Sequence, residues 1–298
     1  MAEKKKSECT LTYCDIMKNK HWRAALFDWQ FGGRDESERP ALIQERQCFN
    51  KMVKKLNFEV YGSVKETRSL SKTNFLKELK RFKEMCVSEP CGCIFLTISA
   101  HGTFVKADDQ RDGGDLEFVE DCISIPKNEI VPIQEIIEVF RDETLNKIPK
   151  IFFIQACRGK ELDKGHPLDG NKNVGQDQND DEPNRAHSTP YLENSVIVYS
   201  TPFGYSAGSS NKKGSHVWEV LKNTLDEILK QGDGKGPVKL LSWLKETNGV
   251  LAKSERDIND GRKEISYKPL LSICHTLTRE ILFAIDEDPV QMSQSGHC

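Results

Sequence analysis

Ile148-Pro-Lys-Ile-Phe-Phe-Ile-Gln-Ala-Cys-Arg-Gly159 runs from a proline through Ile151, Phe152, Phe153 and Ile154, then ends abruptly in Gln155, Ala156, Cys157, Arg158 and Gly159. A short β-branched and aromatic run bounded by Pro and Gly reads as a buried strand, so Cys157 emerges where that strand leaves its sheet. Ligands of open α/β sheets bind at that edge. Cys93 to Ala100 is another apolar run, and it delivers His101 and Gly102 to the same edge.

Outward from these two strands, strand and helix patterns alternate. Arg23-Ala-Ala-Leu-Phe-Asp-Trp29 reads as the first strand, and residues 30–40 as a charged loop. Leu42, Ile43, Phe49, Met52, Val53 and Leu56 recur at three and four residues, the apolar face of a helix. Asn57 to Gly62 is a second strand. Ser71 stands as N-cap ahead of Phe75, Leu76, Leu79, Phe82 and Cys86 at helical spacing. Residues 103–131 read as a hairpin-bearing excursion with Gly113-Gly114 as its turn. Ile133, Ile136, Ile137 and Phe140 mark a third helix ahead of the Cys157 strand. This alternation predicts an α/β fold, a mostly parallel central sheet with helices on both faces.

After Gly159 the composition changes. Residues 160–190 carry glycines, prolines and the acidic run Asp177 to Glu182, with almost no large apolar side chain. Such a segment cannot offset its ordering entropy and reads as a flexible linker. Order resumes at Val196 to Thr201, then a helix with Trp218, Leu221, Leu225 and Ile228, and another with Leu240, Leu241, Trp243 and Leu244. A final strand is expected between Leu270 and Ile285.

The chain of 298 residues, 37% hydrophobic and 30% charged with net charge −3, is globular in composition and gives no electrostatic reason to expect nucleic acid or an anionic membrane. No run reaches the roughly 18 apolar residues of a membrane span, and none near Met1 resembles a signal peptide. A cytoplasmic location is expected. Ten cysteines without a secretory signal read as reduced thiols, mostly small buried hydrophobes. Cys91-Gly-Cys93 has no second pair to complete a zinc set, so neither metal nor cofactor is expected.

A thiolate is a strong nucleophile, but a free cysteine with pKa near ~8.5 is mostly protonated at neutral pH. A nearby imidazole takes that proton, which is why cysteine and histidine are paired in nucleophilic catalysis. Gln155-Ala-Cys-Arg-Gly159, with His101 standing 157 − 101 = 56 residues upstream, resembles the signature of the caspase family. The likeness extends over roughly residues 10–287.

The resemblance implies a caspase-like three-layer sandwich and a cysteine endopeptidase with His101 and Cys157 as catalytic pair. The backbone N–H groups of Gly102 and Cys157 would form the oxyanion hole. It divides the chain into a short N-terminal peptide (1–22), a large-subunit-like region (23–160), an intersubunit linker (161–190) and a small-subunit-like region (191–298). Among the linker aspartates, Asp169, before a glycine, is the preferred processing site. The implied partners are protein substrates, a second copy or another caspase in a dimer, and inhibitor-of-apoptosis proteins. Apoptosis or its regulation is the implied role.

Caspases hold the substrate aspartate with a glutamine and two arginines, because a guanidinium fork suits a carboxylate. Gln155 matches the glutamine. Counting back from Leu56 selects Arg39 for the first arginine, or Arg34 if the loop is gapped differently, and the Gly and Asp that usually follow are absent. Ser209 stands in place of the second arginine, after Ala207 and Gly208, and Ala100 replaces the serine before the histidine. Removing one partner of a desolvated charge pair costs about 2–5 kcal/mol, roughly 30- to 5,000-fold in rate. Two expectations stay open: a peptidase with weakened or altered preference for aspartate, and a regulatory pseudocaspase that keeps the fold and binds an active relative.

Overall fold

A computed structural model describes residues 21–29, 40–62, 70–106, 117–161, 185–188, 191–207, 215–231, 237–254, 256–259 and 264–283. In chain order the strands are β1 (His21–Asp28), β2 (Phe58–Tyr61), β3 (Cys91–Ser99), β4 (His101–Lys106), β5 (Glu117–Ile125), β6 (Glu129–Pro132), β7 (Lys150–Gln155) and β8 (Gly159–Glu161). They continue as β9 (Arg185–Ser188), β10 (Ser195–Tyr199), β11 (Gly204–Tyr205), β12 (Val238–Lys239), β13 (Arg256–Asn259), β14 (Glu264–Tyr267), β15 (Ser272–His275) and β16 (Leu282–Phe283). The helices are α1 (Pro40–Lys55), α2 (Lys72–Ser88), α3 (Ile133–Glu138), α4 (His216–Gln231) and α5 (Leu240–Leu251).

The main sheet has six strands in the order β15-β10-β7-β3-β1-β2. All its neighbours are parallel except β15, which runs antiparallel to β10. The central strands β3, β7 and β10 are buried at every position and mostly apolar because helices cover both of their faces. Side chains alternate between two cores. Phe95, Ile151, Phe153 and Val198 join Phe49, Met52, Trp218 and Trp243 of α1, α4 and α5. Ile94, Leu96, Phe152 and Ile154 join Phe75, Leu79, Ile136 and Ile137 of α2 and α3 on the opposite face. This is the expected three-layer α/β sandwich.

Sequence periodicity located the helices closely. Ser71 does cap α2, its hydroxyl accepting from the backbone N–H of Asn74 at 3.4 Å. Lys150 interrupts the apolar run yet is only 1% exposed. Its ammonium donates to the carbonyls of Leu145 and Ile148, both at 2.8 Å, while burial pushes its pKa down to about 8.

Three details differ from the sequence reading. The final strand is two separate strands, β15 in the main sheet and β16 paired with β12, because the chain between them leaves the sheet edge. The β13–β14 hairpin had no sequence expectation. Within the segment read as linker, Arg185–Ser188 forms β9, parallel to Glu117–Glu120 of β5. Backbone hydrogen bonding to an open edge makes that strand without an apolar side-chain pattern. The excursion after His101 is an antiparallel pair, β4 against β5, and its expected Gly113-Gly114 turn lies outside the described residues.

Candidate active site at the ends of β3 and β7

β3 and β7 are neighbours, and their last paired residues are Ser99 and Gln155. The backbone N–H of Ala100 continues the ladder, donating to the carbonyl of Gln155 at 3.1 Å. His101 and Cys157 therefore leave adjacent strands at one edge. Gly102 presses directly on the cysteine: a Cβ there would lie 1.7 Å from the carbonyl oxygen of Cys157 and 2.9 Å from its nitrogen. Only a residue without a side chain permits that approach. His101, the preceding residue, is exposed and Cys157 is half-buried.

The cysteines separate by environment. Cys48, Cys86, Cys91, Cys93 and Cys122 are buried, whereas Cys157 and Cys274 are partly exposed among the described residues. Burial pushes the Cys122 thiol up to about 12 and raises that of Cys93. These thiols are packing groups, as expected from sequence.

The segment after Cys157 is clamped from two sides. Arg158 is 5% exposed and ion-paired with equally buried Asp121 of β5, its Nε and Nη2 at 2.9 and 2.8 Å from Oδ2. Its guanidinium lies 3.9 Å from the ring centroid of Tyr199 on β10. On the other side, Arg158 N donates to the Tyr205 carbonyl at 2.9 Å, and Gly204 N to the Arg158 carbonyl at 2.7 Å. A Cβ on Gly159 would lie 1.8 Å from the carbonyl oxygen of Gly204. The loop after β10 is thereby locked to the cysteine segment, and Ser206 brings its hydroxyl oxygen to 3.3 Å from Cys157 Sγ. Phe203 of this loop meets Phe104 of β4 with centroids 5.4 Å apart.

Beside Cys157, Gln155 is buried, with no partner for Oε1 among the described residues. Asp28, Ser99 and Gln155 stand in one register row at the strand ends. α1 supplies their partners: Arg46 grips Asp28 with Nε to Oδ2 at 2.5 Å and Nη2 to Oδ1 at 3.1 Å, and Ser99 donates to Glu45 at 2.7 Å. The sequence reading missed Glu45 and Arg46. Glu45 falls between Leu42 and Phe49 on the apolar face of α1, a spacing that could have flagged it. The contact of Ser206 had no sequence signal. Arg39, Arg34, Ser209 and Asp169 lie outside the described residues. No group of three or more His, Cys, Asp and Glu side chains among the described residues could hold a metal ion, and no helix there is long and apolar enough to cross a membrane.

A cysteine and a histidine delivered by neighbouring parallel strands, with a glycine backbone pressed on the cysteine, invite comparison with known proteins. A model of the caspase domain matches residues 16–281. The chain belongs to the caspase family. Caspase-14 of Mus musculus is 26% identical over 224 residues, covering 71% of this chain and 76% of that protein. Caspase-14 of Homo sapiens is 27% identical over 185 residues, 60% of this chain and 65% of that protein. Caspase-7 of Gallus gallus is 29% identical over 154 residues, covering 51% of this chain and 47% of that protein. The crystal structure of caspase-1 from Spodoptera frugiperda superposes on this caspase with a TM-score of 0.67 over 96% of the chain and 100% of that structure, at 19% identity. At that identity the likeness speaks for the fold, a parallel sheet between two helical layers.

Proposed function

We propose that this caspase hydrolyses peptide bonds with Cys157 as nucleophile and His101 as the group that takes and returns its proton. The tetrahedral oxyanion would lie against the N–H groups of Gly102 and Cys157. The close approach of Gly102 to Cys157 carries this reading, because it ties the histidine strand to the nucleophile without an intervening side chain.

Preference for aspartate before the scissile bond is weakened or altered. Arg46 is the described cation at this edge of α1, and both its grips are engaged by Asp28. Ser209, where the family has an arginine, offers no fork for a substrate carboxylate. Gln155 remains, with an acceptor that suits a substrate group able to donate a hydrogen bond. We test this with a peptide library randomised at the residue before the scissile bond, using linker-cleaved protein and Cys157→Ala as control. Turnover lost in Cys157→Ala establishes the peptidase, and aspartyl peptides are expected to hold no strong advantage over the others. A strong aspartate preference would overturn the specificity reading.

Absence of turnover above that control would favour the second reading, a pseudocaspase that binds an active caspase or its substrates. The replacements Ala100, Ala207, Gly208 and Ser209 motivate it. In either case the chain acts as a homodimer or heterodimer in the cytoplasm, on pathways of apoptosis or its control. Its large- and small-subunit-like regions meet at the segment 161–190. Processing after Asp169 predicts that Asp169→Ala stays a single chain where the unaltered protein is cut into two; fragments of unchanged size from that variant would refute it.

A further inference from the structure

Ser206 and Cys157 are 49 residues apart in sequence, yet the two side-chain heteroatoms stand 3.3 Å apart. Three contacts fix the serine's loop. Gly204 N and Tyr205 O both bond to the backbone of Arg158, the residue after the cysteine, and Thr201 Oγ1 donates to the carbonyl of Ser206 at 3.4 Å. The hydroxyl therefore sits within reach of the sulfur because the backbones carrying both are tied together.

We propose that Ser206 is a third catalytic group of this site, its hydroxyl donating a hydrogen bond to the thiolate of Cys157. The inference rests on Cys157 being the nucleophile. A hydroxyl can give its hydrogen to a thiolate, and a hydrogen bond to the charged form favours that form. The proton balance is simple. The thiol proton passes to the imidazole of His101, Ser206 keeps its own proton throughout, and the sulfur's electron pair forms the bond to the substrate carbon. As negative charge moves to the carbonyl oxygen, the bond from Ser206 weakens. Its contribution is to the fraction of thiolate ready at neutral pH rather than to the attack itself. The other titratable and charged groups on the elements packed here include His101 on β4, Glu120, Cys122 and Asp121 on β5, the last paired with Arg158, Tyr199 on β10, and Tyr205 beside Ser206.

Alkylation of Cys157 by iodoacetamide tests this without any peptide being cleaved. The full chain is reacted across about pH 6 to 10, bracketing the ordinary thiol range, and the tryptic peptide Ile151 to Arg158 is followed by mass spectrometry. Ser206→Ala is expected to slow alkylation about tenfold near neutral pH and to displace the curve to higher pH by about one unit. The alkaline limiting rate should be kept or raised, because a thiolate of higher proton affinity is the better nucleophile. Ser206→Thr, which retains the hydroxyl, should restore most of the neutral rate. An unchanged curve in Ser206→Ala would overturn the proposal. So would equal slowing at every pH, which reports altered access, or faster neutral alkylation, which would make the thiol the donor. Because this readout needs no turnover, a chain that fails the peptide-library test still shows whether Ser206 favours the thiolate.

Discussion

Gly102→Ala is expected to reduce peptide turnover by at least about 100-fold, the loss that a displacement near 1 Å inflicts on a positioned site. The new Cβ would sit 1.7 Å from the carbonyl oxygen of Cys157 and 2.7 Å from its carbonyl carbon, and both are backbone atoms of a clamped segment. Neither can rotate away, so the β4 strand or the cysteine must move. Overpacking of this kind also costs about 1–3 kcal/mol of stability. Gly249→Ala is the matched control: nothing lies within 4 Å of its Cβ, in α5, and turnover should be unchanged. Turnover and Cys157 alkylation by iodoacetamide are measured for both variants, so the comparison holds even for slow cleavage. Gly102→Ala activity within a few-fold of the parent would show that the strand yields without disturbing the cysteine.

Arg158→Ala should lower unfolding free energy by about 3–5 kcal/mol in urea titrations at neutral pH, the cost of removing one partner of a buried ion pair. Asp121 is left with its carboxylate 5% exposed, and the guanidinium's seat over Tyr199 is emptied. The double replacement Arg158→Met with Asp121→Leu is expected to recover most of the loss, since hydrophobic substitution of a whole buried pair is often neutral. A single-variant loss below about 1 kcal/mol would class the pair with exposed bridges. The prediction also separates two roles of one residue. The side chain of Arg158 anchors the segment to β5, while its backbone N–H and carbonyl hold the loop that carries Ser206.

Much of the fold was legible because its signals are local. The run from Ile151 to Ile154 is apolar at every position, and it packs two residues into each core, as a strand covered on both faces must. The helix faces built on Phe49 and Met52, on Phe75 and Leu79, and on Trp218 and Leu221 follow the turn of the helix itself. β9, the β13–β14 hairpin and the division between β15 and β16 were not legible in this way. Each is short and held by backbone pairing, which imposes little on the side chains.

The sequence by itself determined that a cysteine and a histidine each follow an apolar strand to one sheet edge, since apolar run and motif are written in consecutive residues; that the two strands are neighbours was decided by the sheet. Tertiary structure decided what surrounds them. Ser206 reaches Cys157 across 49 residues, and Arg46 reaches Asp28 on another element of the fold. Arg158 finds Asp121 at a separation of 37 residues. Charged and hydroxyl groups carry no periodicity that names their partner. The choice among many possible partners is made only when packing of the apolar faces fixes which backbones lie side by side.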